Sequence, residues 1–295
     1  MTKTILVTGA SSFISGWIVR YLLEKGYNVR GTVRSPAKEK QVLDGISQEY
    51  RKQISFVYVA DITTDSFDEA VRDVDGIIHV ASPFHFKVTD PEKDLILPAI
   101  NGTVRVLEAA HDYNEKNGQK IKRIVITSSF ASIIDPSKGF RPGYTYTEKD
   151  WSPITYEQGV AAKDDPMTAY RASKAFTSGK DANVPETRVP KQVDVRDVAY
   201  THVAALEKMI DTNERYLIAA DESWSQQEIV NIVHESSVVP ENIKATTPSG
   251  SKDYQLPEHY NIDSSKAKEQ LGVSYTPFKK TIEDLTIQFG KLQQK

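Results

Sequence analysis

Thr4-Ile-Leu-Val-Thr-Gly-Ala-Ser-Ser-Phe-Ile-Ser15 runs from an apolar, β-branched stretch through a glycine into a polar turn that opens an amphipathic helix. The extended run ends at Thr8, the helix is expected from about Phe13 to Lys25, and a second extended run follows at Asn28-Val-Arg-Gly-Thr-Val33. Strand, tight turn, helix and strand within roughly thirty residues make a βαβ unit. The alternation continues outward. Strands are expected at Ile54 to Val59, Gly76-Ile-Ile-His-Val80 and Arg123-Ile-Val-Ile-Thr127, with a long helix from about Asp94 to Tyr113 before the last. Right-handed crossovers turn this order into a parallel sheet with helices on both faces.

The second half is less regular. Val195 to Ile210 and Ser225 to His234 read as helices, Tyr216-Leu-Ile-Ala219 as a strand and Pro240 to His259 as a surface loop; a terminal helix is expected over Thr281 to Leu292. The 295 residues carry 37 basic and 40 acidic side chains with a net charge of −3, both signs interleaved, so no footprint for nucleic acid or a membrane surface stands out. The expected partners are small molecules, and the expected assembly is a monomer or a homodimer. Cysteine is absent, which excludes disulfides and thiolate chemistry. The six histidines lack ligand-like spacing, so no metal is expected. Neither a signal-like N-terminus nor an apolar run near the ~18 residues of a bilayer span is present, and the expected location is cytoplasmic.

In a sheet of this kind ligands bind outside the C-terminal ends of the strands. Gly9-Ala-Ser-Ser-Phe-Ile14 sits where a tight turn brings backbone N–H groups to a pyrophosphate at the positive end of a helix. Gly9, Ala10, Ser11, Ser12, Phe13 and Ile14 are therefore candidate cofactor contacts. The glycine pattern is degenerate, because Ser12 and Ser15 occupy the later glycine positions. From Asn28 to Ala37 there is no acid to hold a ribose 2′-hydroxyl; instead Arg34 closes the second strand and Lys38 follows one helical turn later, which points to the 2′-phosphate of NADP(H). Asp61 and Ile62 are placed to hold the adenine, although Asp61 reads equally as the cap of a helix over Thr63 to Ala70. Val80-Ala-Ser-Pro-Phe-His-Phe86 follows the fourth strand, making Ala81 and Ser82 candidate cofactor contacts. Phe84 and Phe86, with Phe130, are candidates for an apolar substrate wall, the plain alternative being core packing.

Thr127-Ser-Ser-Phe130 ends the strand nearest the expected nicotinamide, and a hydroxyl there can polarise a carbonyl oxygen. Ser128 and Ser129 are near equals on the residues alone. Asp165-Pro-Met-Thr-Ala-Tyr-Arg-Ala-Ser-Lys174 begins with a capping aspartate and a proline suited to a first helical turn, so Tyr170 and Lys174 share one helix face. A cation beside a phenol lowers its pKa from about 10 and readies it to donate a proton. The pair alone is weak evidence: 14 tyrosines and 25 lysines in 295 residues give about one Tyr-x-x-x-Lys by chance, and the chain has three. Tyr21 with Lys25 and Tyr275 with Lys279 are the others, and position relative to the cofactor loop singles out Tyr170.

With these residues in view the chain resembles the extended short-chain dehydrogenases. Within them it is similar to the yeast-type NADPH-dependent aldehyde and ketone reductases, which include methylglyoxal reductases; dihydroflavonol reductases look like more distant relatives. The likeness runs through Gly9 to Ile14, Arg34 and Lys38, Asp61-Ile62, Val80 to Phe84, Asn101-Gly102, Thr127 to Phe130, Tyr170 to Lys174 and Asp194-Val-Arg-Asp-Val-Ala199. It implies NADP(H) as cofactor, carbonyl reduction as activity, and Ser129, Tyr170 and Lys174 as catalytic residues, with Tyr170 and Lys174 also touching the cofactor. It further implies an α/β fold, a Rossmann-like doubly wound parallel sheet with a small C-terminal substrate-binding lobe. Residues 1–176 would form the dinucleotide-binding domain with the catalytic residues, and 177–295 the remainder of the sheet and the substrate lobe.

The chain departs from that pattern after Lys174. Only 19 residues precede Asp194, too few for the helix, strand and substrate lid that the resemblance implies. Either the chain lacks the segment, or residues are missing from the sequence near 176–181. Loss of an internal strand would expose core and sheet edges, so the second account is the expectation. Two other activities are compatible with the fold. A sugar-nucleotide epimerase or dehydratase is disfavoured by Arg34, and a non-catalytic NADP-sensing protein by the retained Tyr170 and Lys174.

Overall fold

The computed structural model describes residues 2–82, 90–161, 187, 189–208, 212–251 and 253–293. Five parallel strands form the central sheet: β1 (Thr4–Thr8), β2 (Asn28–Val33), β3 (Ile54–Tyr58), β4 (Gly76–His79) and β5 (Ile124–Ile126), in the order β3-β2-β1-β4-β5. Ile5 pairs with Val29 on one side and Gly76 on the other, so the first strand read from the sequence lies at the centre. The order reverses at β1, and ligands bind doubly wound sheets at such a reversal.

Both faces of β1 are buried, which is why it reads as a continuous apolar run. Ile5 and Val7 join Ile18, Val19 and Leu22 of helix α1 (Phe13–Glu24), while Leu6, on the opposite face, joins Phe67, Val71 and Val106. Leu6 is fully buried. Truncating such a residue to alanine costs about 2–5 kcal/mol.

Helix α2 (Pro36–Asp44) follows β2, and the short helix α3 (Asp68–Val71) precedes β4. The helix expected over Thr63 to Ala70 forms only at its end. Asp61 Oδ1 takes the Thr63 N–H at 2.8 Å and Asp65 Oδ2 takes those of Ala60 and Asp61, so the carboxylates fix turns where a helix was expected. Helix α4 (Leu97–Asn117) begins later than the periodicity suggests. Glu92–Ile96 is a single π-helical turn, and Pro98 lacks the N–H that an α-helical bond to Asp94 would require. Gly118, at φ 77°, ends α4 in the left-handed conformation.

The described residues fall into two compact units. One comprises those of Met1–Ser132, Pro153–Pro166 and Val198–Asn213, and includes the sheet and α5 (Tyr156–Ala161). The other comprises those of Ile133–Ser152, Met167–Asp197 and Glu214–Lys295. In the second unit, β6 (Thr145–Tyr146) pairs in parallel with β7 (Asn261–Ile262), two-residue strands too short to show a period. Helix α6 (Val195–Glu207) begins in the Asp194 motif. Arg196 there donates to both Asp194 oxygens and to Asp284, while Asp197 accepts from the Thr276 N–H. Those bonds tie the motif to the terminal helix and to the residues just before it.

Helices α7 (Gln226–Glu235), α8 (Glu241–Thr246) and α10 (Phe278–Gln293) surround Ile229, Val233, Phe278 and Ile282, and α9 (Ser265–Leu271) precedes the last of them. The surface loop expected from Pro240 therefore contains a helix, stabilised by packing of Ile243 against that cluster. Tyr216–Ala219, expected as a strand, forms no ladder with the described residues. An isolated antiparallel bridge from Lys191 to Ser223 lies beyond it, and the Ala219 carbonyl accepts from Ser264 Oγ.

Candidate active site

The turn after β1 is shaped by a close approach. Gly9 adopts φ 63°, and a Cβ there would lie 3.2 Å from both Cα and Cβ of Ala81. Glycine satisfies both demands at once. The turn is anchored to β2, since Gly9 N–H donates to Thr32 Oγ1 and Ala10 N–H to the Thr32 carbonyl, each at 2.9 Å. Ala10 is buried, Ser11 and Ile14 are half-buried, and Phe13 is 66 % exposed.

The two serines standing in glycine positions have a structural task. Ser12 is the N-cap of α1: its hydroxyl accepts from Ser15 N–H and donates to Ser15 Oγ at 2.8 Å. The N–H groups of Phe13 and Ile14 have no acceptor among the described residues, as expected of a helix's first turn. A pyrophosphate fits this cradle, because free N–H groups and the positive helix end both favour an anion.

Thr8 holds the neighbouring strand end. Its Oγ1 accepts the N–H groups of Val80 and Ala81, both at 3.0 Å, so its proton goes to His79 Nδ1 at 2.9 Å. His79 is consequently the neutral Nε2–H tautomer, facing Thr103 Oγ1 at 3.5 Å. Burial holds its pKa down to about 4. Ser82, next in the chain, is exposed.

At the end of β2, Arg34 is exposed, and no described residue supplies it an acceptor. Lys38 is half-buried and donates to Gln41 at 2.8 Å; Glu39 beside it accepts from Tyr58. Asp61 is exposed, and its bonds from Thr63 hold its carboxyl below the usual range. Ile62 rests on Gly102, where a Cβ would come within 2.6 Å of its Cδ1, which accounts for the glycine at that position.

Proton donors at the end of β5 can be counted. Ser132 Oγ donates to the Ser129 carbonyl at 2.7 Å, so in its 3.2 Å contact with Ser128 it accepts, and the Ser128 proton is used. Ser129 Oγ accepts from Ala131 N–H at 3.2 Å, and its own proton has no acceptor among the described residues. Ser129 is exposed and Phe130 half-buried. Thr127 Oγ1 lies 2.7 Å from His202 Nε2, and His202 Nδ1 donates to the Val198 carbonyl at 2.7 Å. Burial lowers the His202 pKa. Tyr170, Lys174, Phe84, Phe86, the expected cap at Asp165 and Pro166 and the join near 176–181 lie outside the described residues.

His79, which the sequence marks as a structural or surface residue rather than a catalytic one, is buried, whereas nothing in the sequence singled out Thr8, Thr32, Thr127 or His202 for a role. Their signal is a polar residue within an apolar run, which marks a buried hydrogen bond without naming its partner. Among the described residues no cluster of three or more His, Asp or Glu side chains could hold a metal, and no helix is long and apolar enough to cross a membrane.

A doubly wound sheet whose first turn offers free N–H groups at a helix start defines a dinucleotide-binding α/β protein. The chain belongs to the NAD dependent epimerase/dehydratase family, whose pattern matches residues 5–178. It is 31 % identical to the putative NADPH-dependent methylglyoxal reductase GRP2 of Candida albicans over 344 aligned positions, covering 97 % of this chain and 98 % of the relative. It is 28 % identical to the NADPH-dependent methylglyoxal reductase GRE2 of Saccharomyces cerevisiae, covering 98 % and 99 %. The crystal structure of yeast methylglyoxal/isovaleraldehyde reductase Gre2 complexed with NADPH superposes with a TM-score of 0.85 at 25 % identity, covering 99 % of both chains. With 344 positions aligned and 295 residues here, at least 49 positions of the Candida alignment are filled only in the relative.

Proposed function

We propose that this chain uses NADPH to reduce aldehydes and ketones, including α-oxoaldehydes such as methylglyoxal, to alcohols. The observation that carries the reading is the Ser129 hydroxyl, exposed at the end of β5 with its proton uncommitted while that of Ser128 is used. NADPH-dependent reductases that match over nearly their whole length support it.

NADPH, when bound, supplies the hydride. Gly9 to Ile14 would hold its pyrophosphate, Arg34 and Lys38 its 2′-phosphate, Asp61 and Ile62 its adenine, and Ala81, Ser82, Tyr170 and Lys174 the remainder. Ser129 donates a hydrogen bond to the substrate carbonyl oxygen, favouring the negative charge that develops there. Tyr170 gives that oxygen its proton, and the Lys174 charge lowers the phenol pKa so that it can. Phe84, Phe86 and Phe130 line the substrate's apolar side. In this reading residues 1–176 bind cofactor, 177–295 complete the substrate lobe, and the enzyme works in the cytoplasm as a monomer or homodimer without nucleic acid.

Following NADPH absorbance with methylglyoxal, isovaleraldehyde and an aryl ketone tests the reading. Turnover is expected, falling by about 10²-fold or more in Tyr170→Phe. Failure with all three carbonyls, or undiminished turnover in the variant, would overturn it. Turnover of a sugar nucleotide without net NADPH consumption would move the chain to the epimerases.

A further inference from the structure

His202 is 7 % exposed on the side of α6 that also presents Val198, Ala199 and Val203 to the core. A polar ring among such neighbours is unfavourable unless its nitrogens are satisfied, and both are. Because a carbonyl only accepts, Nδ1 carries the proton toward Val198. In the neutral ring Nε2 is then an acceptor, and it takes the hydroxyl proton of Thr127 at 2.7 Å. An apolar side chain could fill the space. What imidazole adds is an acceptor aimed at the last residue of the strand end that carries Ser129.

The strand end is fixed on both sides. Thr127 N–H donates to the His79 carbonyl at 2.9 Å, and the Ser129 carbonyl takes the Ser132 N–H at 3.0 Å. Only Ser128 and Ser129 lie between those anchors, so the Thr127 side chain sets one end of a segment with few free dihedrals. We infer that His202 is a positioning residue for the proposed reduction, holding the Ser129 hydroxyl in its working direction through Thr127. This rests on the carbonyl-reductase reading.

Thr127→Val keeps the side-chain shape and removes the donor; His202→Leu removes the acceptor. Each is expected to lower kcat about tenfold. NADPH affinity, measured by fluorescence titration, should not change. The double variant should fall no further than either single one, as residues of one chain of contacts do. His202→Gln, which keeps an acceptor near the end of its side chain, should retain most of the rate. Nitrogen-15 spectra of the wild-type histidine rings should show His202 as the neutral Nδ1–H tautomer. Wild-type kcat in Thr127→Val, additive losses in the double variant, or an Nε2–H tautomer would overturn the inference while wild-type turnover left the reading standing. A wild type that reduces no carbonyl removes both.

Discussion

Arg34 and Lys38 are separated by one helical turn but differ in what they have to give. Lys38 is engaged with Gln41, whereas no described residue supplies an acceptor to the exposed guanidinium of Arg34. A planar fork of donors suits a phosphate, and charge-assisted bonds of this kind contribute about 1.5–3 kcal/mol. Arg34→Gln should therefore weaken NADPH binding by roughly 10- to 100-fold and leave NADH binding unchanged. Fluorescence titration with both cofactors checks this; equal losses for the two would detach Arg34 from the 2′-phosphate. The preference for arginine over an acid was legible from the strand end alone. Which of two adjacent serines has a free proton was not, because it turns on Ser132, whose hydroxyl bonds both the Ser129 carbonyl and Ser128.

The loop between β1 and α1 shows how an element tolerates a degenerate motif. Ser12 caps the helix that glycine would merely permit, so Ser12→Ala should lower stability by about 1 kcal/mol and Ser12→Gly by only a few tenths. Urea unfolding of the two variants distinguishes them, and equal stability would show that the cap contributes nothing. The β1, α1 and β2 segments could be read because their periods come from burial on a regular sheet. Elsewhere the deciding contact was remote or single. A single π-helical turn precedes Pro98, Ile243 packs a polar stretch against the cluster of Ile229, Val233, Phe278 and Ile282, and Tyr216–Ala219 is apolar enough for a strand but has no ladder among the described residues. The proposed triad of Ser129, Tyr170 and Lys174 is read from residue types and position in the chain, and of its members only Ser129 falls among the described residues.

Across the whole molecule, the first unit's core encloses two histidines that are neutral in the folded chain. The unfolded state takes up their protons first as pH falls, so each contributes stability that is complete above its unfolded pKa of about 6.5 and is lost on acidification. For His79, held near 4 by burial, the loss develops between pH 6.5 and 4 and amounts to about 3 kcal/mol, a large part of the ~5–15 kcal/mol typical of a domain. His202 shifts in the same direction through burial. Asp194 lies below the ordinary carboxylate value: burial, the largest single influence, opposes that shift, but the hydrogen bonds from Arg196 and Thr281 together with the Arg196 charge outweigh it, so its contribution disappears only at lower pH. Asp197 and Glu228 are raised by burial and gain protons in the folded state, opposing the histidines near the acid end of the window. The net expectation is a urea midpoint that falls steadily from pH 7 to pH 4.5. In His79→Gln the starting stability should be lower and the pH dependence flatter, because the group that must be protonated on unfolding is gone. A wild-type midpoint that does not move over this range, or a variant as acid-sensitive as the wild type, would mean that neutral His79 is not the source of the acid lability.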